Sequence, residues 1–138
     1  MKLLLAAAVL LTMSGCSTTF VPPEKAKQVP AERIFYQGGG DAKITVIRDD
    51  GFIGSGCFAS LMINGKKAAL FETEEKATFS IEAGATILGV EPAGDGICTW
   101  GGQPFQTETH LKTNEHGIYR IHTGQYSSGP VIMPVSKS

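Results

Sequence analysis

Residues 58–71 read FASLMINGKKAALF, and this stretch decides the fold. Two runs of apolar and β-branched residues flank Asn64-Gly65, the dipeptide that supplies both positive-φ positions of a type I′ turn, whose twist matches that of the strands on either side. The stretch therefore reads as a β-hairpin. A two-residue turn sets the register, with Ile63 opposite Lys66, Leu61 opposite Ala68 and Ala59 opposite Leu70. Successive side chains point to opposite faces. That set accordingly forms a mostly apolar inner face, while Ser60, Met62, Lys67 and Ala69 take the face that tolerates water. Cys57 shares the parity of Ala59 and Leu61, so its thiol is expected to point inward.

The same alternation continues outward from the hairpin. In ATFSIEAGATILGVEPAG, residues 77–94, Ala77, Phe79 and Ile81 alternate with Thr78, Ser80 and Glu82 before a turn at Ala83-Gly84. Further on, Leu111, Tyr119 and Ile121 read as inward residues around the turn at 113–117, leaving Glu108, His110, Arg120 and His122 outward. Strands are expected over 33–37, 43–49, 57–63, 66–72, 76–82, 86–91, 106–112, 117–123 and 130–135. Turn signals about every 8–12 positions are the pattern of an all-β domain, and no helix-period apolar stripe or internal repeat competes with it. Residues 33–138 thus read as a single small antiparallel β-sandwich, short enough that a disulfide matters to its stability.

The N-terminus, MKLLLAAAVLLTMSGC, has one lysine, an apolar run from Leu3 to Leu11 and then small residues. This is the anatomy of a secretory signal, and the run is shorter than the ~20 apolar residues a spanning helix needs. Its last four residues, Met13-Ser14-Gly15-Cys16, resemble the lipobox of bacterial lipoproteins, with Met13 where leucine is commoner. The resemblance implies that residues 1–15 are a lipoprotein signal peptide and that Cys16 carries a diacylglycerol as the first mature residue. At ~0.8 kcal/mol per buried methylene, two or three acyl chains hold a protein on a bilayer. Ser17, where an aspartate favours inner-membrane retention, implies transfer to the outer membrane, at its periplasmic face. Cys57 and Cys98 then remain as an even pair in an oxidising compartment, where disulfides persist. Residues 16–32 contain three prolines and few large apolar side chains. They read as the lipidated cysteine and a flexible tether with a mean reach of roughly 20–25 Å.

The segments AERIFYQ, ITVIRDDGFIGSGC, LMINGKKAALF, ATFSIEAGATILGV, GICTWGG and YRI, in that order, resemble a group of small Gram-negative outer-membrane lipoproteins across residues 31–122. The hairpin and following strand are also similar to a PEGA-type β module, with Asn64-Gly65-Lys66 at its short turn. The resemblance implies an anchored β-sandwich and brings no catalytic residue with it.

Composition narrows the chemistry. The 12 basic and 13 acidic residues form no stripe, which excludes the clustered Lys and Arg that nucleic-acid binding needs. His110, His116 and His122 are spaced six apart, but a hairpin between their strands would set His116 at its tip, away from the other two, so no metal site is expected. Cys57 and Cys98 lie among small or apolar residues and read as a structural pair rather than low-pKa nucleophiles. The glycines at 38–40 and 54–56 open no helix after a strand and read as turns rather than phosphate cradles. Asp49-Asp50 and Glu74-Glu75 sit at turns and form no acid–base pair. GDGICTWGGQPFQ, residues 94–106, places Trp100 and Phe105 in a glycine-rich loop after the bridge, a common form of binding surface; the structural alternative makes Trp100 a lid over the sandwich end. The expectation is a non-enzymatic binding or structural module, without cofactor, held on the membrane through its lipid. Its expected partner is an envelope protein or peptidoglycan, and the alternative is an inhibitor of lysozyme-type enzymes.

Overall fold

The alternation read along residues 77–82 is realised in a two-layer β-sandwich. The computed structural model describes residues 18–51, 56–99, 104–123 and 129–137; Cys16 and Trp100 lie outside them. The strands are β1 (Lys27–Gln28), β2 (Ala42–Arg48), β3 (Phe58–Ile63), β4 (Lys66–Phe71), β5 (Glu75–Ile81), β6 (Gly84–Ala93), β7 (Phe105–Leu111), β8 (His116–Thr123) and β9 (Pro130–Lys137). One sheet has the order β1-β5-β2-β8-β9 and the other β4-β3-β6-β7. The pairing is antiparallel as expected except at two ladders, β1–β5 and β2–β8, which are parallel. For β8 the cause is the crossing: β7 belongs to the other sheet, so β8 arrives beside β2 running in the same direction.

The hairpin forms with Asn64 at φ 50° and Gly65 at φ 78°, as the turn type requires. Its first two pairs, Ile63 with Lys66 and Met62 with Lys67, follow the expected register, and a bulge then shifts it. Leu61 lies opposite Ala69 and Ala59 opposite Phe71. One extra residue reverses the parity of everything beyond it. Phe71 is therefore buried where Leu70 was expected, and both Ala68 and Ala69 are enclosed. The Ala68 carbonyl, at the bulge, accepts the amides of Phe35 and Tyr36 at 2.8 and 3.2 Å.

Those two bonds also account for residues 33–37, which form no strand. Ala31–Arg33 make a single 3-10 turn after Pro30, and Ile34 then touches Ala69 through one isolated bridge. The segment crosses the edge of β4 instead of running along it.

Between the sheets lie Ile44, Val46, Leu61, Ile63, Phe71, Phe79, Ile81, Leu88, Val90, Tyr119, Ile121 and Ile132, all essentially inaccessible. Each contributes about 1.5–3 kcal/mol by leaving water. Tyr119 also hydrogen-bonds Thr109 across the core through its hydroxyl. Its ring lies over Gly117, where a Cβ would come within 2.8 Å of the ring carbon Cε2. Only glycine leaves room for the tyrosine there.

The flexible tether is the largest correction. Its described residues, 18–32, are part of the fold. Thr19 and Asp50 exchange backbone hydrogen bonds, the Lys27 amide donates to the Glu74 carbonyl at 2.9 Å, and the Val29 amide donates to the Lys76 carbonyl at 2.9 Å. Val21, Ala26 and Val29 are buried, and Val21 and Ala26 close with Ile47 and Ile118 into a second small core outside the five-stranded sheet. The prolines of this segment make its turns; Val21 and Ala26 cover the apolar residues that β2 and β8 present on their outer face, while Val29 joins the main core.

Candidate functional site

The strand directions bring several elements to one end of the sandwich. β2, β4, β6 and β8 finish there, and β3, β5, β7 and β9 begin there. Cys57 and Cys98 are bonded across this end, 5.5 Å apart at Cα, joining the start of β3 to the 3-10 turn Gly96–Thr99 beyond β6. The pairing expected from the sequence is thus present, with Cys57 half-buried rather than deep in the core.

Arg48 continues the inward parity of Ile44 and Val46 and is 6% exposed. Its Nη1 donates to the carbonyls of Cys57 at 2.7 Å and Phe71 at 2.6 Å, tying β2 of one sheet to β3 and β4 of the other. Burial lowers its pKa below the ordinary guanidinium range. Arg33 meets buried Glu75 in a bidentate pair at 2.8 and 2.6 Å and also donates to the Leu70 carbonyl. Its pKa is raised, first by the hydrogen bonds to Glu75. Arg120 was expected outward; it is instead buried and ion-paired with buried Asp49. Asp49 also accepts the Val21 amide at 3.1 Å, and the Phe20 ring lies 3.7 Å from the Arg120 guanidinium carbon. The reason is again the 18–29 segment, which lies over an outer face read as solvated.

The hollow at this end, between Thr18, Arg48, Asp50, Thr73 and His122, encloses about 10 Å³. That is the room of about one water. The opposite end carries broader depressions. One of about 200 Å³ is lined by Tyr36, Gly38, Asn64 and Glu82, and another of about 370 Å³ by Phe35, Tyr36, Gln37, Lys66 and Lys67. The Lys67 ammonium lies 5.0 Å over the Phe35 ring. An exposed aromatic, two amides, two ammonium groups and a carboxylate there suit recognition of a polar partner by hydrogen bonds and stacking.

The three histidines are separated, though not by a hairpin. β7 and β8 lie in different sheets, so His110 is on the outer face of one and His122 on that of the other. His110 pairs with Glu108 at 2.6 Å, and His116 bonds Thr45 at 2.7 Å. Among the described residues no group of three potential metal ligands occurs. Phe105 was expected as an exposed contact residue; it is half-buried and packs on the main core, because as the first residue of β7 it pairs with Val90. Trp100 lies outside the described residues. The loop's exposed apolar side chain, among the described residues, is Ile97. Sequence reasoning missed Arg48, Arg120 with Asp49, and Tyr36. Only Arg48 carried a signal, an arginine at an inward position of an apolar alternation.

Comparison with known protein families, with curated proteins and with solved structures finds no match to this chain.

Proposed function

We propose that this chain is a lipid-anchored envelope protein acting as a non-enzymatic binding or structural module at the outer membrane, with Cys16 as the anchor. What supports the module is how its interior charges are used. Each buried charged side chain among the described residues, Arg48, Asp49, Glu75 and Arg120, is engaged in a bond that holds strands or the N-terminal segment in place. Such groups serve the frame, and recognition falls to the surface hollows around Tyr36 and Lys67. The partner class that suits those hollows is polar and hydrogen-bonding, as an envelope protein or peptidoglycan is.

The test has two arms. Cys16→Ser should abolish lipid labelling and leave the precursor uncleaved; unchanged labelling and processing reject the anchor. A photocrosslinking residue at Gln37 should trap an envelope component in living cells, and one at Glu108 should not. Equal trapping at both positions rejects the Tyr36 surface. Inhibition of lysozyme by the purified domain would select the inhibitor reading instead.

A further inference from the structure

Thr18 and the disulfide-bonded turn lie at the same end of the molecule. Thr18 is fixed to the fold: its hydroxyl donates to the Thr123 carbonyl at 2.7 Å, and Thr19 bridges Asp50. Thr123 ends β8 and Asp50 follows β2, so this attachment falls at the end where Cys57 and Cys98 are bonded. Only Ser17 stands between Thr18 and Cys16. Two residues span at most ~7 Å. A lipid on Cys16 therefore leaves this end of the sandwich no room to stand off from the bilayer.

The two most exposed large apolar side chains among the described residues occur here. Ile97 is 77% exposed and Phe20 61%. Scattered apolar residues on a surface need no explanation; two of them at the end where Thr18 is fixed do. Ile97 is not loosely held. It sits in a 3-10 turn closed by the Cys98 amide on the Asp95 carbonyl and is followed directly by the bridged Cys98. Gly96 before it adopts φ 60°. Phe20 is held by the Arg120 guanidinium beneath it. Exposed charges of both signs stand at the same end, Asp95 and Glu74 against Lys27, so no single-sign patch there draws anionic headgroups and the apolar side chains carry the argument.

We propose that the Cys57–Cys98 end is a membrane-contacting face, with Ile97 and Phe20 entering the headgroup region of the leaflet that holds the Cys16 lipid. The proposal rests on lipidation of Cys16. It makes Ile97, in the turn before Cys98, a lipid contact instead of part of a site for a protein partner, and it points the Tyr36 and Lys67 hollows away from the membrane. Strands of six or seven residues set those hollows about 20 Å further out.

The test uses the native lipidated chain in phosphatidylethanolamine and phosphatidylglycerol nanodiscs that contain a headgroup-spin-labelled lipid. Amide relaxation enhancement should be strong at Phe20 and Ile97 and several-fold weaker at Gly65 and Asn114, which lie at the opposite end. Equal enhancement at the two ends, or a stronger effect at Asn114, overturns the orientation. The double variant Phe20→Ser/Ile97→Asp, still lipidated, should lose several-fold of the enhancement at its own two positions; no loss overturns apolar insertion. Intact mass and flotation read the anchor separately. A chain that neither carries lipid nor floats refutes the anchor and the contact face together, whereas a lipidated, floating chain without the relaxation pattern refutes the contact face alone.

Discussion

Asp49→Ala should cost far more than a surface substitution, because it leaves the Arg120 guanidinium charged and enclosed beneath the 18–29 segment. Both side chains are less than a tenth exposed. Breaking one partner out of a buried pair costs about 3–5 kcal/mol, and here the Val21 amide also loses its acceptor. The loss has a ceiling. Once it exceeds what Val21, Ala26 and Phe20 contribute by packing on the sheet, the segment peels away and water reaches Arg120. Arg120→Met should cost a similar amount by stranding Asp49. The double variant Asp49→Ala/Arg120→Met removes both charges and should recover much of the loss, since apolar replacements of buried pairs are often neutral. Arg120 Nε, buried without a hydrogen-bond partner among the described residues, makes the native pair easier to replace. The double variant should thus cost less than either single one, and the cycle should return a coupling at least as large as one single loss, ~3 kcal/mol or more. Urea unfolding of the Cys16→Ser mature chain reads it directly, with a slope of ~1–3 kcal/mol per molar. Single variants that each cost under ~1 kcal/mol and add without coupling would show an exposed pair and would refute the packing of residues 18–29 described above.

The Cys57–Cys98 bridge spans a sequence separation of 41, and loop-closure entropy puts its removal at about 4 kcal/mol; thermal melting of Cys57→Ala/Cys98→Ala checks this, and an unchanged melting temperature contradicts it. Gly117→Ala places a methyl against the Tyr119 ring at 2.8 Å, so about 1–3 kcal/mol should be lost to overpacking. The companion Tyr119→Leu should relieve much of that loss, and a double variant no better than Gly117→Ala denies the clash. Phe105→Ala should cost clearly less than the ~3–5 kcal/mol of a fully buried aromatic, with partner trapping at Gln37 unchanged, because Phe105 is a half-buried core neighbour rather than a contact residue. Loss of trapping in a folded Phe105→Ala protein speaks against that assignment.

The strand content was legible because period-two alternation is local: Ala77, Phe79 and Ile81 had only one face to share, and Asn64-Gly65 admits few turns but the one formed. The bridge was legible for a different reason: once Cys16 is read as the lipid anchor, Cys57 and Cys98 are the two cysteines left, in one small domain. What alternation does not carry is the identity of the neighbour. The parallel pairing of β8 with β2 depends on a crossing between sheets, and the bulge at Leu61–Met62 depends on residues 31–36 lying across β4 to satisfy the Ala68 carbonyl. Residues 18–32 have no periodicity of their own, and their prolines resemble those of a linker; only the folded sheet supplies the outer face of Ile47 and Ile118 that Val21 and Ala26 cover. Burial of Arg120 follows from that cover. The Cys16-proximal residue Thr18 and the Cys57–Cys98 turn are far apart in the chain, and it is the parallel run of β2 and β8 that brings them to one end, because the position of a chain segment along a sheet is set by its partners' direction and not by its own residues.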